Sequence, residues 1–158
     1  MTAGLLDRVF RVITLVVATT GLIVIVLAVA AQVFMRYVLS APLSWSDELA
    51  RYALVWTTFS GMSLATRYGD HMRVDAVTSY VPERAKTLLT RIGRGLEAVC
   101  YLTLLYAGVR MLPVLHKQSS LALDIPMSLI YAAIPMGSAI ALLFLLLLVL
   151  LRVQRAPK

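Results

Sequence analysis

The sequence VITLVVATTGLIVIVLAVAAQVFM, residues 12–35, holds 24 residues without a charge between Arg11 and Arg36. An α-helix rises about 1.5 Å per residue and the hydrocarbon core of a bilayer is about 30 Å thick, so about 20 apolar residues suffice to cross it. A second stretch, residues 125–151, holds 27 uncharged residues. Both stretches predict transmembrane helices.

Two further segments are weaker candidates for spans. Residues 49–68 contain 15 uncharged residues between Arg51 and Arg67, and they reach spanning length if both arginines extend toward opposite interfaces. Residues 96–115 carry one charge near each end, with 12 uncharged residues between Glu97 and Arg110. The sequence therefore predicts an all-α integral membrane protein of four transmembrane helices, with residues 1–158 forming a single membrane domain.

The composition supports a membrane protein and argues against an enzyme. Of the 158 residues, 60% are hydrophobic and 15% are charged, whereas soluble domains average about 45–50% and about 25%. One cysteine, Cys100, excludes an internal disulfide, and the two histidines are too few for most haem or di-metal sites. Because no nucleophile–base pair, phosphate-binding loop or metal-ligand spacing occurs, we expect no catalytic residue, bound cofactor or metal.

The basic residues predict the orientation in the membrane. With the N-terminus inside, eleven of the fifteen Lys and Arg side chains fall on the cytoplasmic side and four on the outer side. This bias follows the positive-inside rule and places both termini in the cytoplasm. The four outer residues are Arg36, Arg51, Arg110 and Lys117.

The segment between the second and third spans has the period of an amphipathic helix. At 100° per residue, its apolar side chains fall within an arc of about 100° and its arginines and Lys86 fall on the rest of the circumference. Residues 82–95 therefore predict an interfacial helix whose basic face contacts lipid head groups. A docking face for a partner protein is the alternative.

The segment that precedes the second span predicts a helix start. Ser44 with Asp47 three residues later fits a capping box, so a helix begins near Ser44 and places Trp45 at the membrane surface. Asp47 and Arg51 are spaced for an ion pair. Two interpretations are open, a capped helix with a surface ion pair, or a lock of Trp45, Glu48 and Arg51 against another subunit.

Small residues and prolines mark the expected helix contacts. Close backbone approach through small residues matters in lipid, because burial of apolar side chains gives no drive for association there. Pro126 is placed to begin the last helix, and Pro135 to kink it. The small residues recur every fourth position, at Thr57, Gly61 and Ala65 in the second span and at Ala133, Gly137 and Ala141 in the fourth.

Six motifs, in family order and spacing, resemble the small permease subunit of TRAP transporters, the tripartite ATP-independent periplasmic solute transporters of bacteria and archaea. They are QVFMRY at 32–37, SWSDELARY at 44–52, VWTTFSG at 55–61, RYGDHMRVD at 67–75, SSLALDIPM at 119–127 and AIPMG at 133–137, the last preceded by Tyr131. The resemblance implies a scaffold subunit in the bacterial inner membrane. A large membrane subunit would move an organic acid, usually driven by sodium, and a periplasmic binding protein would deliver it.

The resemblance also implies a set of structural or subunit-interface positions, none of which is expected to bind the solute. Ion coupling is expected in the large subunit, and this chain is expected to contact that subunit, the binding protein and lipid. The implied positions are Arg36, Trp45, Glu48, Arg51, Tyr52, Trp56, Gly61, His71, Asp75, Pro126, Tyr131, Pro135 and Gly137.

Two other function classes compete with the scaffold. A self-sufficient small carrier acting as an oligomer would normally place an ionisable residue near mid-membrane, and the first and fourth spans have none. A membrane anchor of a redox enzyme would need haem or quinone ligands, which His71 and His116 supply poorly.

Overall fold

The computed structural model describes residues 2–41, 43–68 and 83–154, and most of this part of the chain is helical. The all-α class is confirmed for the described residues, which contain no strand beyond one isolated bridge between Ser119 and Pro126. The helices are α1 at Thr2–Val38, α2 at Ser44–Tyr68, α3 at Glu83–Leu115, α4 at Met127–Tyr131 and α5 at Ala133–Gln154.

Within the described residues, three helical segments are long and apolar enough to cross a membrane: Asp7–Val38, Leu88–Leu115 and Met127–Leu148. The chain therefore has the character of a multi-pass membrane protein. With 25 residues, α2 is also long enough, at about 37 Å, but its serines and threonines make it more polar. That α2 crosses, that there are four spans and that both termini are cytoplasmic stay predictions.

One continuous helix, α3, covers both the expected interfacial helix at 82–95 and the expected third span at 96–115. The glycines in this region cost only about 1 kcal/mol each in a helix, and the helix meets its first proline at Pro113. Nothing therefore ends the helix at the expected boundary. A helix of 33 residues is about 50 Å long, so it exceeds the thickness of the hydrocarbon core.

The last helical segment is interrupted where Pro135 predicts a kink. Proline has no N–H, so the carbonyl of Tyr131 loses its helical partner and α4 ends there. The ladder continues on both sides, with the Ala132 amide 2.9 Å from the Ser128 carbonyl oxygen and the Met136 amide 3.1 Å from that of Ala132. The bend is thus a local adjustment within one membrane-directed segment.

Three glycines allow neighbouring helices to approach closely. α2 packs against α1 and α5, and α3 packs against α5. A side-chain carbon at any of these glycines would overlap the neighbouring helix, so close packing depends on its absence. The pairs are Gly21 of α1 with Thr57 of α2, Gly108 of α3 with Pro135 of α5, and Gly137 of α5 with Phe59 of α2.

The two predicted small-residue stripes differ in what they face. In α5, Ala133 and Ala141 are 1% and 0% exposed and flank Gly137, so this stripe lies inside the bundle. In α2, by contrast, a carbon added at Gly61 would meet no atom of the described chain within 4 Å. The space beside Gly61 is therefore open to a partner or to lipid.

Polar contacts join the helices at the end of the bundle where α1 begins and α2 ends, here called the terminal end. Arg67 donates two hydrogen bonds to Asp7, at 2.6 and 2.9 Å, which tie the end of α2 to the start of α1. The Thr66 and Tyr101 hydroxyls lie 2.6 Å apart, and Tyr101 donates to Glu97 at 2.9 Å. These contacts require that α2 runs antiparallel to both α1 and α3.

Much of the apolar surface is left uncovered by the chain itself. In the most apolar stretches of α1 and α3, 11% of the residues are buried, compared with 44% in the last segment. α1 and α3 thus form the sides of the bundle, and α2 and α5 form its centre.

Gly137→Ala should destabilise the isolated chain. The added carbon would lie 2.7 Å from Cβ and 3.0 Å from the carbonyl oxygen of Phe59, so the helix backbones must separate. Overpacking of this kind costs about 1–3 kcal/mol, measured as a lower thermal midpoint in detergent. Gly61→Ala is the matched control, and equal midpoints for the two variants would contradict the packing.

Candidate functional site: the loop held by Glu48

The end of the bundle where α1 ends and α2 begins, opposite the terminal end, is here called the hairpin end. The loop between α3 and α4, residues 116–126, folds back on itself there. The Ser120 amide donates to the Ile125 carbonyl oxygen at 2.9 Å, and the Met127 amide donates to that of Gln118, also at 2.9 Å. Asp124 takes a left-handed backbone conformation, with φ of 50°, which aspartate adopts more readily than most residues. The loop is thus a closed turn of defined shape.

The carboxylate of Glu48 fills this turn. It accepts hydrogen bonds from the Ser120 hydroxyl at 2.7 Å and from the amides of Leu121, Ala122 and Leu123 at 3.1, 3.0 and 3.2 Å. Successive amides that converge in a turn form a concave site for an anion. A side chain of α2 therefore supplies the anion that holds the distant loop.

The sequence places Glu48 for this contact by starting α2 at Ser44, as predicted. The predicted ion pair of Asp47 with Arg51 is confirmed, at 2.7 Å, with both side chains more than 60% exposed. The Ser46 hydroxyl donates to the Leu43 carbonyl oxygen at 2.8 Å within the start of the helix. Glu48 lies one position beyond Asp47 and so points toward the loop.

The hydrogen bonds stabilise the charged form of Glu48. The Ser120 hydroxyl lowers the pKa of this carboxyl group most. Desolvation raises the pKa and is the next largest effect, and the Ala122 amide, the Tyr52 hydroxyl and the Leu121 amide lower it further, so that the pKa is lowered in all. Glu48 is consequently an ionised acceptor at neutral pH and has no proton to donate.

The arrangement is suited to presenting a surface. Ser120 is 3% exposed, whereas the next residue, Leu121, is fully exposed at the tip of the loop. Among the described residues, no three His, Cys, Asp or Glu side chains come together to hold a metal ion. The site thus holds an apolar loop tip in a fixed position on the surface.

The other predicted positions near the start of α2 lie around this loop without sharing its hydrogen bonds. Trp45 is 41% exposed and Arg51 is exposed beside Asp47. Of the three residues predicted to lock against another subunit, these two are therefore accessible to a partner. The buried Tyr52 hydroxyl meets the geometric criteria of a hydrogen bond with no group among the described residues, although it lies close enough to Glu48 to lower the pKa of that carboxyl group. Arg36 is exposed in the last turn of α1, and Trp56 is half-buried on α2.

Of the predicted positions from Pro126 onward, some lie in or beside the loop and others lie at contacts between helices. Pro126 precedes α4 and pairs with Ser119 in the loop, whereas Tyr131 is 37% exposed at the end of α4. Pro135 and Gly137 lie at buried helix contacts. The remaining two predicted positions, His71 and Asp75, lie outside the described residues.

Sequence reasoning missed the partners of Glu48. Ser120 belongs to a motif that we singled out, but its pairing with Glu48 across 72 positions has no local signature. The contacts of the backbone amides have no sequence signature either, because almost every residue type has a backbone amide. The Asp7–Arg67 pair, by contrast, was detectable, since antiparallel spans place the start of the first beside the end of the second.

Glu48→Gln should loosen the loop while preserving the volume of the side chain. A neutral amide accepts weaker hydrogen bonds than a carboxylate, so the amides of Leu121, Ala122 and Leu123 should exchange with solvent about fivefold faster or more. Hydrogen exchange measures this directly. Asp47→Asn is the control, since Asp47 bonds to the exposed Arg51 and to no residue of the loop among the described contacts, and equal acceleration in both variants would refute the role of Glu48.

The loop should also respond to acid in a defined direction. Because the pKa of Glu48 is lowered from 4.5 in the folded protein, the hydrogen bonds are fully present above about pH 4.5 and are lost as the pH falls through the lower value. The amide chemical shifts of Leu121 and Ala122 should therefore stay constant at neutral pH and titrate below about 4.5. A midpoint above that value would contradict the geometry.

Comparison with protein families gives a match over most of the chain. Residues 25–155 match the family described as tripartite ATP-independent periplasmic transporters, DctQ component. The match includes α2, the loop held by Glu48 and the last helical segment.

Individual relatives agree with this match. The chain is 24% identical to the ectoine TRAP transporter small permease protein TeaB of Halomonas elongata over 85% of this chain and 70% of that protein. It is 28% identical to the C4-dicarboxylate TRAP transporter small permease protein DctQ of Rhodobacter capsulatus, over 62% and 44%. With the sialic acid TRAP transporter permease protein SiaT of Haemophilus influenzae it shares 31% identity over 61% of this chain.

The chain spans only 15% of the length of SiaT. The matched family is a transporter component and not a class of enzymes, which agrees with several apolar helices in a multi-pass membrane protein. The match over residues 25–155 covers well over half of the chain. The chain therefore belongs to the DctQ-component family of tripartite ATP-independent periplasmic transporters and is a TRAP transporter small permease subunit.

Proposed function

We propose that this subunit widens and supports the membrane scaffold of a large permease subunit and helps to dock a periplasmic binding protein. In this proposal the large subunit moves an organic acid across the bacterial inner membrane with an ion, expected to be sodium. The motif residues of the present chain hold subunits together and do not touch the solute.

The proposal rests mainly on the length of two relatives compared with the segment that this chain matches. The chain matches 15% of SiaT and 20% of the isethionate TRAP transporter permease protein DctMQ of Oleidesulfovibrio alaskensis. In both proteins, a segment like this chain is joined to a much longer permease sequence. By analogy, the segment formed by this chain is proposed to pack against a large permease subunit.

The uncovered surfaces support this association. The apolar side chains of α1 and α3 are largely exposed within the chain, and the space beside Gly61 is open. In lipid, small residues such as Gly61 favour close contact with another helix. We therefore place the large subunit against the open side of α2.

The hairpin end supports the docking role. If both termini are cytoplasmic, as the basic residues predict, this end faces the periplasm. It presents the exposed Trp45 and the fully exposed Leu121, held in place by Glu48. Aromatic and apolar side chains fixed on a rigid support are suited to protein contacts.

The proposed solute class rests on the names of the relatives. SiaT is named for sialic acid, DctQ for C4-dicarboxylates and TeaB for ectoine, each of which carries a carboxylate, and DctMQ is named for isethionate, which carries a sulfonate. The identity of the acid is expected to be set by the large subunit and the binding protein.

Affinity purification of the tagged full chain from its native membranes in mild detergent tests the association. Mass spectrometry should identify a much larger polytopic membrane protein in stoichiometric amount. Recovery of the chain alone, together with solute flux in liposomes that contain only this chain, would refute the proposal in favour of a self-sufficient carrier.

Gly61→Leu should reduce recovery of the large subunit about tenfold, because a bulky side chain separates helix backbones that small residues hold close. The thermal midpoint of the isolated chain should be unchanged, since a Cβ added at Gly61 would meet no atom within 4 Å apart from the neighbouring backbone of its own helix. Gly95→Leu, at another open position on α3, is the matched control. Undiminished recovery with Gly61→Leu would show that this side of α2 faces lipid.

A further inference from the structure

A groove of about 530 Å³ runs along α3 toward the hairpin end. It is apolar except for one guanidinium group and one phenol, and it lies within the membrane-directed stretch Leu88–Leu115. A neighbouring hollow of about 510 Å³ shares Pro113 with it and is also lined by His116 and Lys117. The groove itself is lined by Leu102, Leu105, Tyr106, Val109, Arg110 and Pro113.

The charge in the groove has no acidic partner in the described part of the chain. The Arg110 guanidinium lies 5.2 Å from the centre of the Tyr106 ring, a cation–π contact. Asp47 pairs with Arg51 and Asp7 pairs with Arg67, so neither of these carboxylates serves Arg110. An arginine at membrane depth requires an anion or access to the interface, so the groove is complementary to a negative group.

The depth of Arg110 fits the position of a lipid phosphate. Leu102 lies at the middle of the stretch Leu88–Leu115, and eight residues of helix from there to Arg110 cover about 12 Å. Half of the hydrocarbon core is about 15 Å thick, so with Leu102 at the bilayer centre the Arg110 backbone lies just inside the boundary, and its long side chain extends from there to the phosphates. From Leu102 outward, the lining therefore changes from apolar to cationic over the distance at which a phospholipid changes from acyl chain to phosphate.

We propose that this groove binds one anionic phospholipid, with an acyl chain along Leu102, Leu105 and Val109 and the phosphate on Arg110. A guanidinium offers paired donors that match two phosphate oxygens. Lys117, in the adjoining hollow, adds positive charge beside the head group. An apolar partner helix would leave Arg110 without an anion, and free phosphate would leave the apolar part of the groove uncovered.

The test uses the full chain reconstituted in phosphatidylcholine vesicles that contain trace spin-labelled lipid. Electron paramagnetic resonance compares the protein-bound fraction of spin-labelled phosphatidylglycerol with that of spin-labelled phosphatidylcholine. The wild type should prefer phosphatidylglycerol, and Arg110→Gln should reduce the preference about fivefold, the effect of one basic residue at a membrane surface. Arg110→Lys should keep most of it.

Arg51→Gln is the matched control, because it removes the same charge from the hairpin end at a site outside the groove. Its preference should equal that of the wild type, and circular dichroism should show all four proteins equally helical. Equal preferences in Arg110→Gln and the wild type would overturn the proposal. Displacement of the bound phosphatidylglycerol by inorganic phosphate would also overturn it, because it would show a site for a free anion.

Discussion

In a bilayer, lipid tails solvate apolar side chains as well as another helix does, so this chain depends on close backbone contact to hold its helices together. Gly137 against Phe59 and Gly108 against Pro135 place α5 in direct contact with both α2 and α3. Gly21 performs the same role between α1 and α2. α5 and α2 consequently form the centre, and the remaining surfaces of α1 and α3 are left to lipid or to another subunit.

Polar contacts at the two ends set the register of these helices. Asp7 with Arg67 joins α1 to α2 at the terminal end, and Glu48 with the Ser120 loop joins α2 to the α3–α4 connection at the hairpin end. Each involves a charged group, and charge-assisted hydrogen bonds are among the stronger ones. The two contacts lie near opposite ends of α2, so they hold a relatively polar helix in place in the bundle.

The same arrangement is compatible with the proposed role of the subunit in a larger complex. The carboxylate of Glu48 holds the loop in shape, and the apolar tip at Leu121 stays outside. The open side of Gly61 and the groove at Arg110 lie on different helices. A protein partner and a lipid therefore need not compete for one surface.

The sequence alone determined the helical class, the apolar segments, the start of α2 at Ser44 and the interruption before Pro135, because each follows from local hydropathy or from the missing N–H of proline. It did not determine that α3 continues through the expected interfacial boundary, since no residue there ends a helix. The hydrogen-bond partners of Glu48 were decided by tertiary structure alone, because they are a serine and three backbone amides more than 70 positions away. Likewise, only packing distinguished Gly137, which is pressed against Phe59, from Gly61, which faces open space, although both lie in the same kind of small-residue stripe.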